Sequence, residues 1–348
     1  MRSRTIIATP PGATIKEQLE DRGMTQKDFA LHMDMSEKHI SQLINGKVQL
    51  TPDVALRLES VLGVPASFWS NLENIYREKL VRVKEENAME ADKKIARKMP
   101  YAEMVRLGWI EAAKNIEDKV KNLRKFFEVA YLKVIDNLMI PGIAYRKLSD
   151  AHKKDYLIAV WSQKARLEAR KYKVSKINLQ KLSRLIPNIR ALTVEEPNVF
   201  APKLLKMMSE CGISLVFLQH IRGSFLHGAS FYDGDKIVMA LTLRRHDADI
   251  FWFSLFHEIY HILDGHIAKN HNWNDDDEHQ ADNFARNVLI TPKAFSEFVK
   301  AKLFTESSVT AFAARENIDA GIVVGRLQKD GYIDWSQLNS LKSHYDIS

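Results

Sequence analysis

The chain has 348 residues, 45% of them hydrophobic and 27% charged, a balance that excludes wholesale disorder and leaves room for more than one domain. Its single cysteine, Cys211, excludes both an internal disulfide framework and a thiolate cluster, so any metal would rest on His, Asp or Glu. The formal net charge of +7 is unevenly spread: residues 1–80 hold 10 basic against 10 acidic groups, 81–200 hold 26 against 15, and 201–348 hold 15 against 19, which suggests three regions with a basic middle.

The opening MRSRTIIATPPG has no long apolar run before a cleavage site, and apolar stretches such as IFWFSLF at 250–256 fall far short of a membrane span, so a cytoplasmic protein with no membrane partner is expected. Five helices are expected in 1–80. Thr14 is placed as the cap of the first, which stops at Gly23; Thr25 caps the second; Ser36 opens the third, which stops at Gly46; Thr51-Pro52 opens the fourth, which stops at Gly63; and Pro65 opens the fifth. Leu19, Phe29, Ala30, Met33, Ile40, Leu43, Ile44, Leu56, Leu58, Leu62 and Phe68 supply a small core. The second and third helices have the spacing of a helix-turn-helix, which would point Glu37, Lys38 and Ser41 at base edges and set Gln26, Asn45 and Lys47 near phosphates. Spacing alone also admits a plain helical bundle with a polar surface.

The motifs in this stretch are PG before the first helix, TQ-x-x-x-A, S-x-x-x-I-S-x-L-I-N-G, and TP-x-x-A-x-R-L-x-x-x-L-G. With them, residues 10–80 closely resemble the Xre-type helix-turn-helix, and within it the HigA antitoxin branch. The resemblance implies binding to a double-stranded DNA operator as a homodimer, and a toxin partner. A dimer would help, because a domain of zero net charge has little general attraction for phosphate.

Residues 81–200 read as a basic helical connector, with periodic pieces MEADKKIARKM, IEDKVKNLRKFFEVA and DYLIAVWSQKARLEARKYKV. Between 161 and 190 stand nine Lys or Arg and one acidic residue, Glu168. A solvated helix face accounts for that run, and so does an electrostatic aid to DNA binding or a docking face for an acidic partner, the third region included.

Residues 201–348 begin with SLVFLQHI, FLHGASFYDGD and KIVMALTL, read as a small antiparallel sheet with a DGD turn, so the fold class expected for the whole chain is mainly α with a small antiparallel sheet (α+β). A helix starting after Asp247 or Asp249 and running to Leu263, with Gly265 as its stop, is apolar nearly all round. It nevertheless carries His257, Glu258 and His261. H-E-x-x-H is short enough to arise by chance, so its surroundings must decide. Burying three such groups needs hydrogen bonds or a cation in compensation. Zinc needs a third protein ligand, and His266, His271, Asp275, Asp276, Asp277, Glu278 and His279 follow. The segment DDDEHQADNFARNVLITP turns amphipathic, with Glu278, Ala281, Asp282 and Ala285 on one face. Glu278 is therefore the expected third ligand and Asp282 the acceptor for the outward N–H of a ligand histidine. His266, His271 and Asp275 to Asp277 are expected at the surface or capping a helix. Glu258, beside the ligands, is the expected general base. Tyr260, Tyr232 and His266 are weaker candidates for oxyanion donors.

FSLFHEIYH, EHQADNFA, ITP and the late AFAARENIDAGIVVGRLQKDGYI resemble the ImmA/IrrE metallopeptidases over about residues 200–335. That resemblance implies a gluzincin-like zinc endopeptidase domain that cleaves a regulatory protein, a repressor for instance. Tyr260 stands where that pattern has a small residue, and Gln280 where a second acid is common. The combined reading is a helix-turn-helix head at 1–80, a connector at 81–200 and a zinc metallopeptidase at 201–348. The alternative is a transcription factor or antitoxin whose last region is a non-catalytic sensor or partner-binding module.

Overall fold

The computed structural model describes residues 1–137, 151–224, 227–242, 247–268 and 274–345. The chain divides into two compact units, Met1–Ile95 and Ala96–Ser348, where three regions were expected.

The first unit holds α1 (Gly12–Asp21), α2 (Gln26–His32), α3 (Glu37–Ile44), α4 (Pro52–Leu62) and α5 (Ala66–Ala96). Thr25 and Asp28 form a reciprocal capping box, the Ser36 hydroxyl accepts from the His39 N–H at 3.2 Å, and Thr51 accepts from Val54 N–H ahead of Pro52. Thr14 caps nothing. Pro11 is already in the helical region, so α1 starts at Gly12, three residues earlier than a cap at Thr14 would give. A side chain at Gly12 would strike the Ile44 backbone, so glycine there lets α1 lie against the end of α3.

Ile15, Phe29, Ala30, Met33, Ile40, Leu58 and Trp69 fill the centre of this unit. Two expected core residues do not: Leu56 is 60% and Phe68 44% exposed. The buried stripe of α4 is Val54, Ala55, Leu58 and Leu62, which leaves Leu56 on the far face, and α5 enters with Trp69 inward, its indole N–H donating to Val64 O at 3.2 Å. No Gly or Pro stands between Pro65 and Pro100, so α5 runs through the boundary expected at 80 and takes in the MEADKKIA part of MEADKKIARKM. The first residues of the chain pack along it. Ala8 is buried with Tyr76 and Val83, and Ser3 Oγ donates to Glu86 Oε2 at 2.6 Å.

The second unit follows with α6 (Tyr101–Arg106), α7 (Ile116–Phe127), α8 (Ala151–Ala169), α9 (Leu179–Ala191), α10 (Pro197–Ser209), β1 (Ile213–Leu218), β2 (Gly228–Asp233), β3 (Lys236–Thr242), α11 (Ala248–Leu263), α12 (Asp275–Leu289), α13 (Pro292–Lys300), α14 (Glu306–Glu316) and α15 (Ala320–Lys329). The basic run belongs to its framework. Arg166 pairs with Asp233 at 3.0 Å, Lys181 with Glu210 at 2.8 Å, and Arg190 donates to the carbonyls of Leu289 and Glu316. These pairings tie the expected connector to the expected third region.

The sheet is mixed, which corrects the antiparallel expectation. Its order is β1-β3-β2, with β2 and β3 antiparallel and β1 parallel to β3. β1 and β3 are both buried along nearly their whole length, whereas β2 ends in the partly exposed Tyr232 and Asp233 at an edge. Helix α11 lies in the middle of the apolar core, burying Phe251, Trp252, Leu255, Phe256, Ile259 and Ile262. The Trp252 indole donates to the Tyr345 hydroxyl at 2.8 Å, so the end of the described chain closes over the start of α11. Among the described residues no helix is long and apolar enough to cross a membrane.

Candidate metal centre and nucleic-acid surface

In the first unit, Gln26, Glu37, Lys38, Ser41, Asn45 and Lys47 are all exposed. Ile40, Leu43 and Ile44 anchor the opposite face of α3, so its polar face is free of the core. Asn45 is partly committed, its amide donating to Ser41 O at 2.7 Å.

The second unit brings His257, His261 and Glu278 together: one ligand atom from each lies within 4.8 Å of the others. The i, i+4 spacing on α11 stacks the two rings on one face, and their Nε2 atoms stand 2.9 Å apart. Glu278, in the first turn of α12, reaches them from across the interhelix contact, with Oε2 at 3.5 Å from His257 Nε2 and Oε1 at 3.6 Å from His261 Nε2. Two imidazoles and one carboxylate are the donor set of a catalytic zinc site, whose tetrahedral edges are about 3.3–3.5 Å. The carboxylate edges already have that length, and the imidazole pair needs to open by only a few tenths of an ångström. The residues fit zinc.

Asp282, one turn after Glu278, takes the outer nitrogen of His257, Nδ1 to Oδ1 at 2.9 Å. Burial of the His257 ring opposes its charge, but the bonds to Asp282 and Glu278 outweigh that and push its pKa up to about 10. His261 goes the other way, to about 4, through burial and the adjacent His257 charge. The two rings are thus shifted in opposite directions, which favours His257 as the charged member of the pair.

Glu258 is buried beside this pair, and burial pushes its pKa up to about 7 against the His257 charge and a bond from Ser230. Ser230 Oγ donates to Glu258 Oε2 at 2.7 Å. A side chain on Gly228 would stand 2.9 Å from Glu258 Cγ and 3.0 Å from Oε1, so β2 receives the carboxylate only because that position is glycine.

Sequence reasoning missed two members of this site. Ser230 was signalled only by a small hydroxyl inside an apolar strand. His266, expected at the surface, is 2% exposed and meets His261, Nδ1 to Nδ1 at 2.9 Å. Asp277 is buried and joins Asn274 in a capping box at the start of α12. Asp275, Asp276 and His279 are exposed, and His271 lies outside the described residues. The Tyr260 hydroxyl donates to Gln280 Oε1 at 2.7 Å, so the two departures from the metallopeptidase pattern meet each other.

The first unit thus defines a helix-turn-helix protein, and residues 15–69 match the family described as Helix-turn-helix. The chain belongs, through this unit, to the HTH-type DNA-binding transcriptional regulators. It is 35% identical over 66 residues to the uncharacterized HTH-type transcriptional regulator YddM of Escherichia coli (strain K12), a match covering 19% of this chain and 70% of that one. It is 41% identical over 58 residues to Antitoxin HigA-1 of Vibrio cholerae serotype O1, covering 17% of this chain and 54% of that one. Among solved structures, an addiction module antidote protein of a HigA family from Coxiella burnetii is similar at 29% identity and a TM-score of 0.22, over 26% of this chain and 96% of that one.

Proposed function

We propose that the chain is a DNA-binding transcriptional regulator whose second unit is a zinc-dependent endopeptidase acting on a regulatory protein such as a repressor. The observation that carries this reading is the convergence of His257, His261 and Glu278 beside the buried Glu258. His257, His261 and Glu278 would hold zinc, which would supply Lewis-acid polarisation of a peptide carbonyl and a water of lowered pKa. The remaining work falls to the chain. Ser230 fixes one oxygen of Glu258, and a carboxyl group titrating near 7 can both take a proton and return it to a leaving amine. Strand β2 is one edge of the sheet and receives Glu258, so a substrate segment added along that edge would run past the general base in a register set by backbone hydrogen bonds. On the first unit, a homodimer would present two copies of α3 to an operator.

Purified full-length protein should contain about one zinc per chain. Glu258→Gln should keep the ion and lose cleavage, read as chelator-sensitive new protein termini after incubation with cell lysate. If Glu258→Gln cleaves as fast as the parent, the assigned base is removed. A second reading, a regulator or antitoxin whose metal-binding unit is a sensor without catalysis, is favoured by the likeness of the first unit to HigA-1 and would bring a toxin partner. It predicts no new termini under any condition, together with operator affinity that changes when zinc is added.

A further inference from the structure

We propose that His266 is a positioning residue for the metal centre: it holds His261 in the tautomer whose Nε2 lone pair faces Glu278, and it ties that ligand to the first turn of α12. The proposal rests on the metal-centre reading and goes beyond it by assigning a residue outside the ligand set.

His266 is buried between two carboxylates and a ligand. Its Nδ1 is 2.9 Å from His261 Nδ1, while its Nε2 is 2.8 Å from Asp264 Oδ2 and 3.5 Å from Asp277 Oδ1. Two facing Nδ1 atoms bond only if one carries a proton and the other does not. The carboxylates decide which. With Asp264 and Asp277 at its Nε2 end, His266 keeps its proton on that nitrogen, because a bare lone pair there would face two anionic oxygens. A His261 that offers its Nε2 lone pair to a metal carries its own proton on Nδ1, so the facing Nδ1 of His266 is the acceptor that this tautomer needs. The opposite arrangement would put the proton of His261 on Nε2, where a metal ligand cannot have one.

The same chain of contacts reaches the residue next to the third ligand, His266 Nε2 lying 3.5 Å from Asp277 Oδ1. Asp277 is the capping-box partner of Asn274 and immediately precedes Glu278. Both outward links of the histidine pair therefore meet α12 near Glu278: His257 through Asp282, one turn beyond it, and His261 through His266 and Asp277, just before it. His266 thereby joins the residues after α11 to the start of the helix that completes the site.

The test measures zinc affinity of the full-length protein by competition with a chromophoric chelator, alongside the histidine nitrogen signals of the zinc-free protein. His266→Phe fills the buried space but cannot accept a hydrogen bond, and it should weaken zinc binding about 10- to 100-fold. It should also turn His261 from the Nδ1-protonated form into a mixture of tautomers. His266→Asn, whose amide oxygen can stand where Nδ1 does, should recover most of the affinity. A purely structural role would lower the thermal midpoint of the ion-free protein and leave the tautomer unchanged. If His266→Phe binds zinc within about twofold of the parent, with His261 still Nδ1-protonated, the proposal is overturned and the metal centre stands. A parent that binds no zinc overturns the metal centre, and this proposal with it. Should His266→Phe fail to fold, Asp264→Asn on the partly exposed turn takes its place: severalfold weaker zinc binding supports the chain of bonds, and unchanged affinity breaks it.

Discussion

At the scale of single residues, the ligand set was legible because helical spacing fixes which side chains share a face. His257 and His261 repeat at four on α11, Glu278 and Asp282 repeat at four on α12, and the structure brings the two pairs together. Ser230 and His266 were not legible, since one depends on which strand lies over Glu258 and the other on how the chain turns after Gly265. Gly228 links those facts to a measurable effect. With a would-be side chain 2.9 Å from both Glu258 Cγ and Leu241 Cδ2, Gly228→Ala must displace one of them. We expect a stability loss of about 1–3 kcal/mol by urea denaturation. Zinc content should be unchanged, and cleavage should fall by up to about 100-fold as the carboxylate moves. Full activity in that variant would mean that Glu258 is not held against β2. The pKa of His257 yields a second expectation. Asp282 and Glu278 hold the His257 pKa well above its ordinary value, and zinc must displace that proton, so affinity should rise with pH, about tenfold per unit near neutrality. Calorimetry in buffers of different ionisation enthalpy should show about one proton released per zinc. Release of none would place His257 in its neutral form.

At the scale of elements, the caps were readable and the depth of burial was not. Thr25, Ser36 and Thr51 open their helices as their residue types dictate, whereas Thr14 yields to Pro11, which starts α1 early. Leu56 and Leu58 look alike in the sequence and lie on opposite faces of α4. Leu58→Ala should cost about 2–5 kcal/mol and Leu56→Ala stay within about 0.5 kcal/mol, a contrast that chemical denaturation of the full chain would read. The mixed sheet escaped the sequence because three apolar strands in a row do not say which takes the centre. On α3 and the turn after it, exposure separates two kinds of contact. Lys47→Ala should weaken binding to every DNA sequence alike and reduce the salt dependence by about one counterion, while Ser41→Ala should alter preference among operators. A Lys47→Ala variant with the parent's salt slope would take that residue off the phosphate backbone.

At the scale of the whole molecule, charge suggested three regions and packing makes two units, and three members of the basic run, Arg166, Lys181 and Arg190, cross the expected boundary at 200 to Asp233, Glu210 and the carbonyls of Leu289 and Glu316. A ligand stabilises only the cooperative unit that binds it. All three proposed zinc ligands lie in Ala96–Ser348, and all six candidate DNA-contacting residues lie in Met1–Ile95. Scanning calorimetry of the full chain should therefore show two transitions. Zinc at one hundred times its dissociation constant adds about 2.7 kcal/mol to the second unit alone. At about 2–4 °C per kcal/mol for a unit of that size, one transition should move up by roughly 5–10 °C while the other stays in place. Operator DNA should move the other transition instead, and Glu278→Gln should remove most of the zinc shift without touching the response to DNA. A single transition that zinc and DNA raise together would mean that the two units melt as one, and the separation of binding from catalysis on which the proposed function rests would then have no thermodynamic basis.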